Sequence, residues 1–490
     1  MEHIICIAGD LGASGGKMAK GAFDGNKLKI TDFIDFDNKL VETPNALYWN
    51  VFGLYNSILD GITQYADHGS VDSIAIDTWG ASYGLLDKRN RLLEPVYHYR
   101  DKRTLHTVEN IHKVVSGKSL FEMTGCQCNR TYTLPQLYSY IEQGTNVLTE
   151  ADKMLFLPDL LSYFLSGEIS TEMTIAGTSA LMNTSQEDWC FDLFERLNIP
   201  SHFLTDIVEA GTVKGTLLKT VGEKTRAGGA KVIAAVGHDT AAAVAAIPGF
   251  GANKLYISIG TNISMGAMVP ESIVSEEAFY CGFKNTGGIG RSKIVYRDFS
   301  AFWLMNELQS VWLNEGKKYS YMDLISLAEH TKSKQVHFAN SKQVHFAKSK
   351  QVHFDLEEPE FNNVDGDIRI KINNYLKKTG QSVIEEDGEF VLCILESISI
   401  KVKYYAHLLK DKLNIPYTEI YVVNGGSRNY LLMQMISNAL EAEVKAGMPY
   451  ATLTGNVLTQ LYARGYVKTV DEMRELSKQS FRMKIYEPKN

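Results

Sequence analysis

The chain has 490 residues, 44% of them apolar and 22% charged, with a formal net charge of −7. Such a balance suits a globular protein large enough for two cores. It gives no basic footprint for nucleic acid, and no apolar run approaches the roughly 18–20 residues of a membrane span.

The N-terminus reads as a strand rather than as a basic segment leading into an apolar one, so no signal peptide is expected. Six scattered cysteines, Cys6, Cys126, Cys128, Cys190, Cys281 and Cys393, read as reduced thiols of a cytoplasmic protein rather than a disulfide framework. After the strand "IICIAGD" comes "GDLGASGGKMAKG" (9–21). A P-loop needs four residues between its glycines, then Lys and Ser or Thr. Here three residues separate Gly12 from Gly16, and Met18 follows Lys17. Asp24-Gly25-Asn26 then divides two alternating segments, which predicts a hairpin. The glycine loop is therefore expected to join two strands, not a strand and a helix.

Strand-glycine elements recur. "SIAIDTWGASYGLLD" (73–87) is followed by the polar, aromatic "PVYHYRDKRT" (95–104). In "VIAAVGHDTAAAVAAI" (232–247) an apolar strand runs into an alanine-rich helix, and "KLYISIGTNISMG" (254–266) repeats the strand and polar glycine turn of the N-terminus. "EIYVVNGGSRNYLLMQMISNAL" (419–440) is a strand, a glycine turn and a helix-period run. Phosphate-type loops near 12 and 260 predict two similar domains, 1–247 and 248–490, facing each other across a cleft. Pro248, Gly249 and Gly251 mark their junction. Between 333 and 356 an eight-residue unit occurs three times, "SKQVHFAN", "SKQVHFAK", "SKQVHFDL". It is too short for a solenoid and reads as a duplication that lengthened a surface loop, with the third copy belonging to the core. The competing reading is a metal tract of His337, His345 and His353.

A carboxylate at a strand end beside free backbone amides would repel a bare phosphate but suits a cation-bound one. Asp10 is thus expected to orient Mg²⁺ or its waters, with the amides of Ala13, Ser14, Gly15 and Gly16 on phosphate oxygens and Lys17 adding charge. With the turns at 258–264 and 424–426, this amounts to an ATP site split between domains. Asp239, in Gly237-His238-Asp239-Thr240, is placed to take a proton from a substrate hydroxyl as a phosphoryl group arrives; a helix cap is the competing role. Trp79, Tyr97, His98 and Tyr99, with Arg100 and Asp101 as a pair for hydroxyls, suit a polyol.

Eight motifs in order, "DLGASGGK", "DTWG", "YRDKRT", "LPDLLSYFLSGE", "GHDTAAAV", "SIGTNISMG", "NTGG" and "NGGSRN", with "TGN" at 454–456, resemble the FGGY carbohydrate kinase family. Its fold is the two-domain α/β actin/hexokinase/Hsp70-like (ribonuclease H-like) ATPase fold with a cleft between the domains. The likeness is strongest to the branch acting on L-rhamnulose. The resemblance implies ATP- and Mg²⁺-dependent phosphorylation of the C1 hydroxyl of a deoxy-ketose. It makes Asp239 the general base and puts Gly80, His238, Thr240 and Asp298 against the sugar. Ala13 to Lys17, Thr261, Asn306 and Gly425 would line the nucleotide site. The sequence departs from that pattern at Lys17 (usually Arg), Ser82 (an acid), Asp298 (Asn), Asn306 (Gln) and Tyr450 (often an acid). Ser82 and Asp298 fall on the sugar side, leaving L-fuculose, xylulose or glycerol as alternatives. A non-catalytic ATP-binding sensor of the same fold is a remoter one. Small molecules are the only partners implied, and the sequence gives no oligomeric state.

Overall fold

The computed structural model describes residues 3–340, 352–361 and 366–489, and of 333–340 only the backbone. By packing, the protein forms two compact units. The first comprises Met1–Ala252, Met268–Tyr296 and Tyr450–Arg482; the second comprises Asn253–Ala267, Arg297–Pro449 and Met483–Asn490. The first crossing, after Ala252, lies close to the expected junction at 247–248. Two later segments, Met268–Tyr296 and Tyr450–Arg482, also pack with the first unit.

The first unit is built on six strands: β1 (Ile4–Leu11), β2 (Gly15–Phe23), β3 (Leu28–Asp37), β4 (Ser73–Thr78), β5 (Val213–Thr216) and β6 (Lys231–His238). Their order across the sheet is β5-β6-β4-β1-β2-β3. Strands β1, β4 and β6 run parallel, while β2 and β3 return antiparallel. Every residue of β4 is buried, because a central parallel strand is covered on both faces; this is why it reads as a continuous apolar run. The glycine loop is a hairpin turn. Leu11 pairs with Gly16, and Gly12 and Gly15 exchange backbone hydrogen bonds of 2.8 and 3.3 Å. At the next turn, Asp24 Oδ1 accepts from the amides of Asn26 and Lys27, as an Asp in a tight turn does.

The helix Ala451–Ala463 belongs to this unit because of a close approach. A Cβ on Gly455 would lie 1.9 Å from the carbonyl oxygen of Ala242, in the helix Asp239–Ala246. Only glycine lets the two helices meet at that distance.

The second unit carries β7 (Lys254–Ile259), β8 (Asn262–Val269), β9 (Glu419–Val423), β10 (Val444–Gly447) and β11 (Met483–Tyr486). Strands β7, β9 and β10 are parallel, and β7 and β8 form a hairpin through Gly260 and Thr261. It therefore repeats the strand-turn-strand plan of β1 and β2. The helix Asp387–His407 starts on a capping box of Glu386 and Glu389. Of the repeated segment, the first copy continues the helix Tyr321–Asn340 and the second lies outside the described residues. In the third, Phe354 and Leu356 are buried, and the Phe354 ring lies 4.4 Å from that of Phe361. The metal reading of His337 and His345 falls outside the described side chains. Among the described residues no helix is long and apolar enough to cross a membrane.

Gly455→Ala is expected to destabilise the protein by about 1–3 kcal/mol through overpacking against Ala242, read as a lower urea midpoint with the slope unchanged.

Candidate active site

The parallel strands carry acids to one edge of the sheet. Asp10 on β1 pairs in register with Asp77 on β4; His238 on β6 pairs with Thr78, and Asp239 follows it. Asp77 is fully buried. Its Oδ2 accepts 2.7 Å from Asn456 Nδ2, which also donates to the Ala75 carbonyl. Gln460 Nε2 in turn donates to Asn456 Oδ1 and to the Ile7 carbonyl, and Ser73 donates to Gln460 Oε1. One face of the helix Ala451–Ala463 thus fixes one oxygen of the acid, Oδ2, through a buried polar network, while Oδ1 is buried without a hydrogen-bond partner in that network.

Burial, then the charge of Asp239, pushes the Asp10 carboxyl up to about 7; Lys17 and a hydrogen bond with Asp77 pull the other way. Asp77 is raised well above the usual carboxylate range, by burial first and by the charge of Asp10 next. Two acids side by side with a third nearby do not all ionise readily without a cation. Among the described residues no three His, Cys, Asp or Glu side chains are arranged to hold a metal by themselves. The donor set suits Mg²⁺ nonetheless, since that ion takes one or two carboxylates and fills its shell with water and phosphate oxygens.

Beside Asp10 lies a cavity of about 350 Å³, lined by Gly12, Ser14, Gly15, Gly16 and Lys17. Asn38, buried, donates to the carbonyls of Gly12 and Ala13 at 3.2 and 3.4 Å, bracing the turn. Lys17 pairs with Asp35 and lies 5.9 and 5.8 Å from the ring centres of Phe33 and Tyr450. It must leave Asp35 to meet a phosphate.

Asp239 opens the helix Asp239–Ala246. Its Oδ1 accepts from the amide of Thr240 at 2.5 Å and the hydroxyl at 3.1 Å, and His238 Nε2 is 3.5 Å away. It is not the cap residue; His238 holds that position and makes no side-chain cap bond. Its side chain is 35% exposed, leaving room for a substrate hydroxyl. Gly80 is packed against Thr178, whose Oγ1 would be 2.7 Å from an added Cβ. Next to it, Ala81 takes a left-handed φ of 68°, held by Thr178 on its amide and by Thr133 and Gln136 on its carbonyl.

An aromatic group forms around Trp49, whose ring centre is 4.2 Å from Trp79, 4.1 Å from His98 and 5.6 Å from Tyr99. Ser82, buried, accepts from both indoles, 3.0 Å from Trp49 and 2.8 Å from Trp79. Burial lowers the His98 imidazole to about 4, so it is neutral at neutral pH. The expected Arg100–Asp101 pair for hydroxyls does not form. Asp101 accepts from the amides of Leu47 and Arg103 and caps the short turn Lys102–Thr104, while Arg100 is exposed over Tyr99. Local backbone donors captured the acid first.

Thr261, Asn306, Gly425 and Asp298 lie in the second unit, and all four are exposed. The Thr261 carbonyl accepts from Trp303; Asn306 is on the helix Trp303–Asn314. Gly425 opens the turn after β9, where an added Cβ meets nothing within 4 Å. Asn424 Nδ2 donates to Ser258 Oγ at 2.9 Å, tying that turn to β7. Sequence reasoning left out Asp77, Asn456, Asn38 and Trp49 as site residues. For Asp77 the signal was present, since it closes an apolar run just as Asp10 does.

Residues 10–246 match the N-terminal domain, and residues 255–464 the C-terminal domain, of the FGGY family of carbohydrate kinases. The chain belongs to that family. It is 33% identical to a rhamnulokinase of Bacteroides thetaiotaomicron, over 99% of this chain and 96% of that one. Identity is 31% to a rhamnulokinase of Enterococcus faecalis, over 99% and 95%. The fold is that of a gluconate kinase from Lactobacillus acidophilus, with a TM-score of 0.79 at 14% identity over 100% and 94% of the two proteins. A Plasmodium falciparum glycerol kinase with ADP gives 0.77, also at 14% identity, over 100% and 94%. This FGGY kinase is therefore an ATP-dependent sugar phosphotransferase with a two-domain α/β fold of the actin/hexokinase-like kind.

The raised Asp10 carboxyl has a consequence for stability. Its folded-state value of about 7 lies above the unfolded 3.8, so its favourable contribution is complete below the unfolded value and is lost as pH rises through 7. Asp10→Asn is expected to make the ligand-free protein more stable than the parent above pH 7, by on the order of 1 kcal/mol, with the gain shrinking towards pH 5. Thermal melts across that range read it out.

Proposed function

We propose that this kinase transfers the γ-phosphoryl of ATP to the C1 hydroxyl of a deoxy-ketose, L-rhamnulose first. The observation that carries the reading is Asp239, a partly exposed carboxylate at the edge where Asp10 and Asp77 also end. The identity to two rhamnulokinases over nearly the whole length supports the choice of sugar. Asp239 takes the proton of the attacking hydroxyl as the O–P bond forms. His238 and Thr240 flank it, Gly80, packed against Thr178, is a proposed sugar contact through its backbone, and the Trp79 and Tyr99 rings suit the apolar C–H groups of the sugar. Arg100 and Asp298 are the remaining proposed sugar contacts. Asp101 acts through its turn, holding Leu47 and Arg103.

On the nucleotide, the amides of the Ala13–Gly16 turn and Lys17 serve phosphate oxygens, and Thr261, Asn306 and Gly425 are proposed as further contacts. Asp10, seconded by Asp77, would hold Mg²⁺ through one or more waters. When bound, that ion would offset phosphate charge.

A coupled ADP-release assay with L-rhamnulose, L-fuculose, D-xylulose and glycerol tests the sugar. L-Rhamnulose should exceed each of the others by about tenfold or more in kcat/KM; preference for another substrate overturns that assignment. Asp239→Asn should lower kcat by about 10²–10⁴-fold with the KM for ATP nearly unchanged, and undiminished turnover would remove Asp239 as the base.

A further inference from the structure

We infer that Glu172 is a positioning residue for Asp239, holding the two backbone amides that precede it. The inference rests on the reading of Asp239 as the base. Strand β6 pairs regularly with β4 from Lys231 to Ala234, then loses register before His238 meets Thr78. In that interval, where the pairing is irregular, a side chain also holds β6. Glu172 Oε2 accepts from the Gly237 amide at 3.0 Å. Thr174 donates its hydroxyl to the same oxygen at 2.6 Å and accepts from the His238 amide at 3.3 Å. The residues on which Asp239 hangs are thus tied directly, and through one hydroxyl, to a single carboxylate.

That carboxylate is anchored in turn. Glu172 is 1% exposed, and it also accepts from the amides of Thr174 and Ile175, capping the one-turn helix Met173–Ala176. Its own amide donates to both oxygens of Asp159, 3.2 Å each. Asp159 is ion-paired with Lys214 at 2.5 Å, both side chains almost fully buried, and Lys214 also donates to the Ser170 carbonyl at 2.8 Å. Capping so short a helix needs no buried acid; Ser or Asn would do it. The reach across to β6 is what requires a side chain of this length. Gly237 completes the fit, since a Cβ there would lie 2.9 Å from Oε2. Glutamine has the same shape, but its amide group presents hydrogens to donors and cannot accept from all four.

A double-mutant cycle tests this, with kcat, both KM values and the melting temperature measured for the full-length protein with Mg·ATP and its best ketose. Glu172→Gln should lower kcat about 10²-fold while the KM for ATP stays close to that of the parent. Combined with Asp239→Asn it should cost no more than Asp239→Asn alone, because both act on one proton transfer. Thr174→Val should lower kcat about tenfold and Thr174→Ser should restore it, which decides the matter should Glu172→Gln fail to fold. A Glu172→Gln enzyme with parental kcat and only a lower melting temperature overturns the inference, as does a double variant slowed by the full product of the two losses. Parental turnover in Asp239→Asn would instead remove the base assignment itself, and this inference with it.

Discussion

Mutual repulsion among acids is the constraint around which the first unit is organised. Parallel strands necessarily end on the same edge, so Asp10, Asp77 and Asp239 are gathered there by topology rather than by any local preference. Folding gains nothing from that arrangement. Burial and like charge push Asp10 and Asp77 up, and the surroundings compensate, with Asn456 on one oxygen of Asp77 and Lys17 opposing the charge at Asp10. Groups held at a cost to stability, with a rigid polar network behind them, mark a site kept for chemistry. Open α/β sheets place ligands beyond the carboxyl ends of their strands for the same reason.

The supports differ from acid to acid. Asp77 is fixed from the helix Ala451–Ala463, which reaches the sheet only because Gly455 admits the carbonyl of Ala242. Asp239 is fixed from behind, through Glu172 and Thr174. Asp10 sits beside the glycine turn, two of whose carbonyls Asn38 holds. On the proposed reading, sugar preference would have a separate basis. Where the family branch has an acid, this protein has Ser82, a neutral acceptor for two indole N–H groups. It fixes Trp49 and Trp79, so on the proposed reading selectivity would follow from the shape of the aromatic group as much as from hydrogen bonding.

Much of this was legible in the sequence wherever the signal is local. Apolar runs ending in a polar residue gave the strands, Asp24-Gly25-Asn26 gave the hairpin, and the failure of the P-loop spacing correctly made the glycine loop a strand-to-strand turn. What was hidden depends on remote partners. Asn456 meets Asp77 across 379 residues of sequence, and nothing in "TGN" names its target. Asn38 and Trp49 are unremarkable until folding brings them to the loop and to Trp79. Asp101 shows the opposite failure, a neighbour in sequence whose proximity to Arg100 suggested a pair although nearby amides had the stronger claim. The division into units was obscured because two segments return to the first unit after the backbone has left it.

The proposal that a magnesium nucleotide is taken up beside Asp10 and Asp77, where burial and like charge disfavour ionisation, is tested most directly by calorimetry. Titrating Mg·ADP near pH 6.5 in buffers of differing ionisation enthalpy should reveal release of about one proton per nucleotide bound, fading to none near pH 9. Binding without proton release at either pH would contradict it.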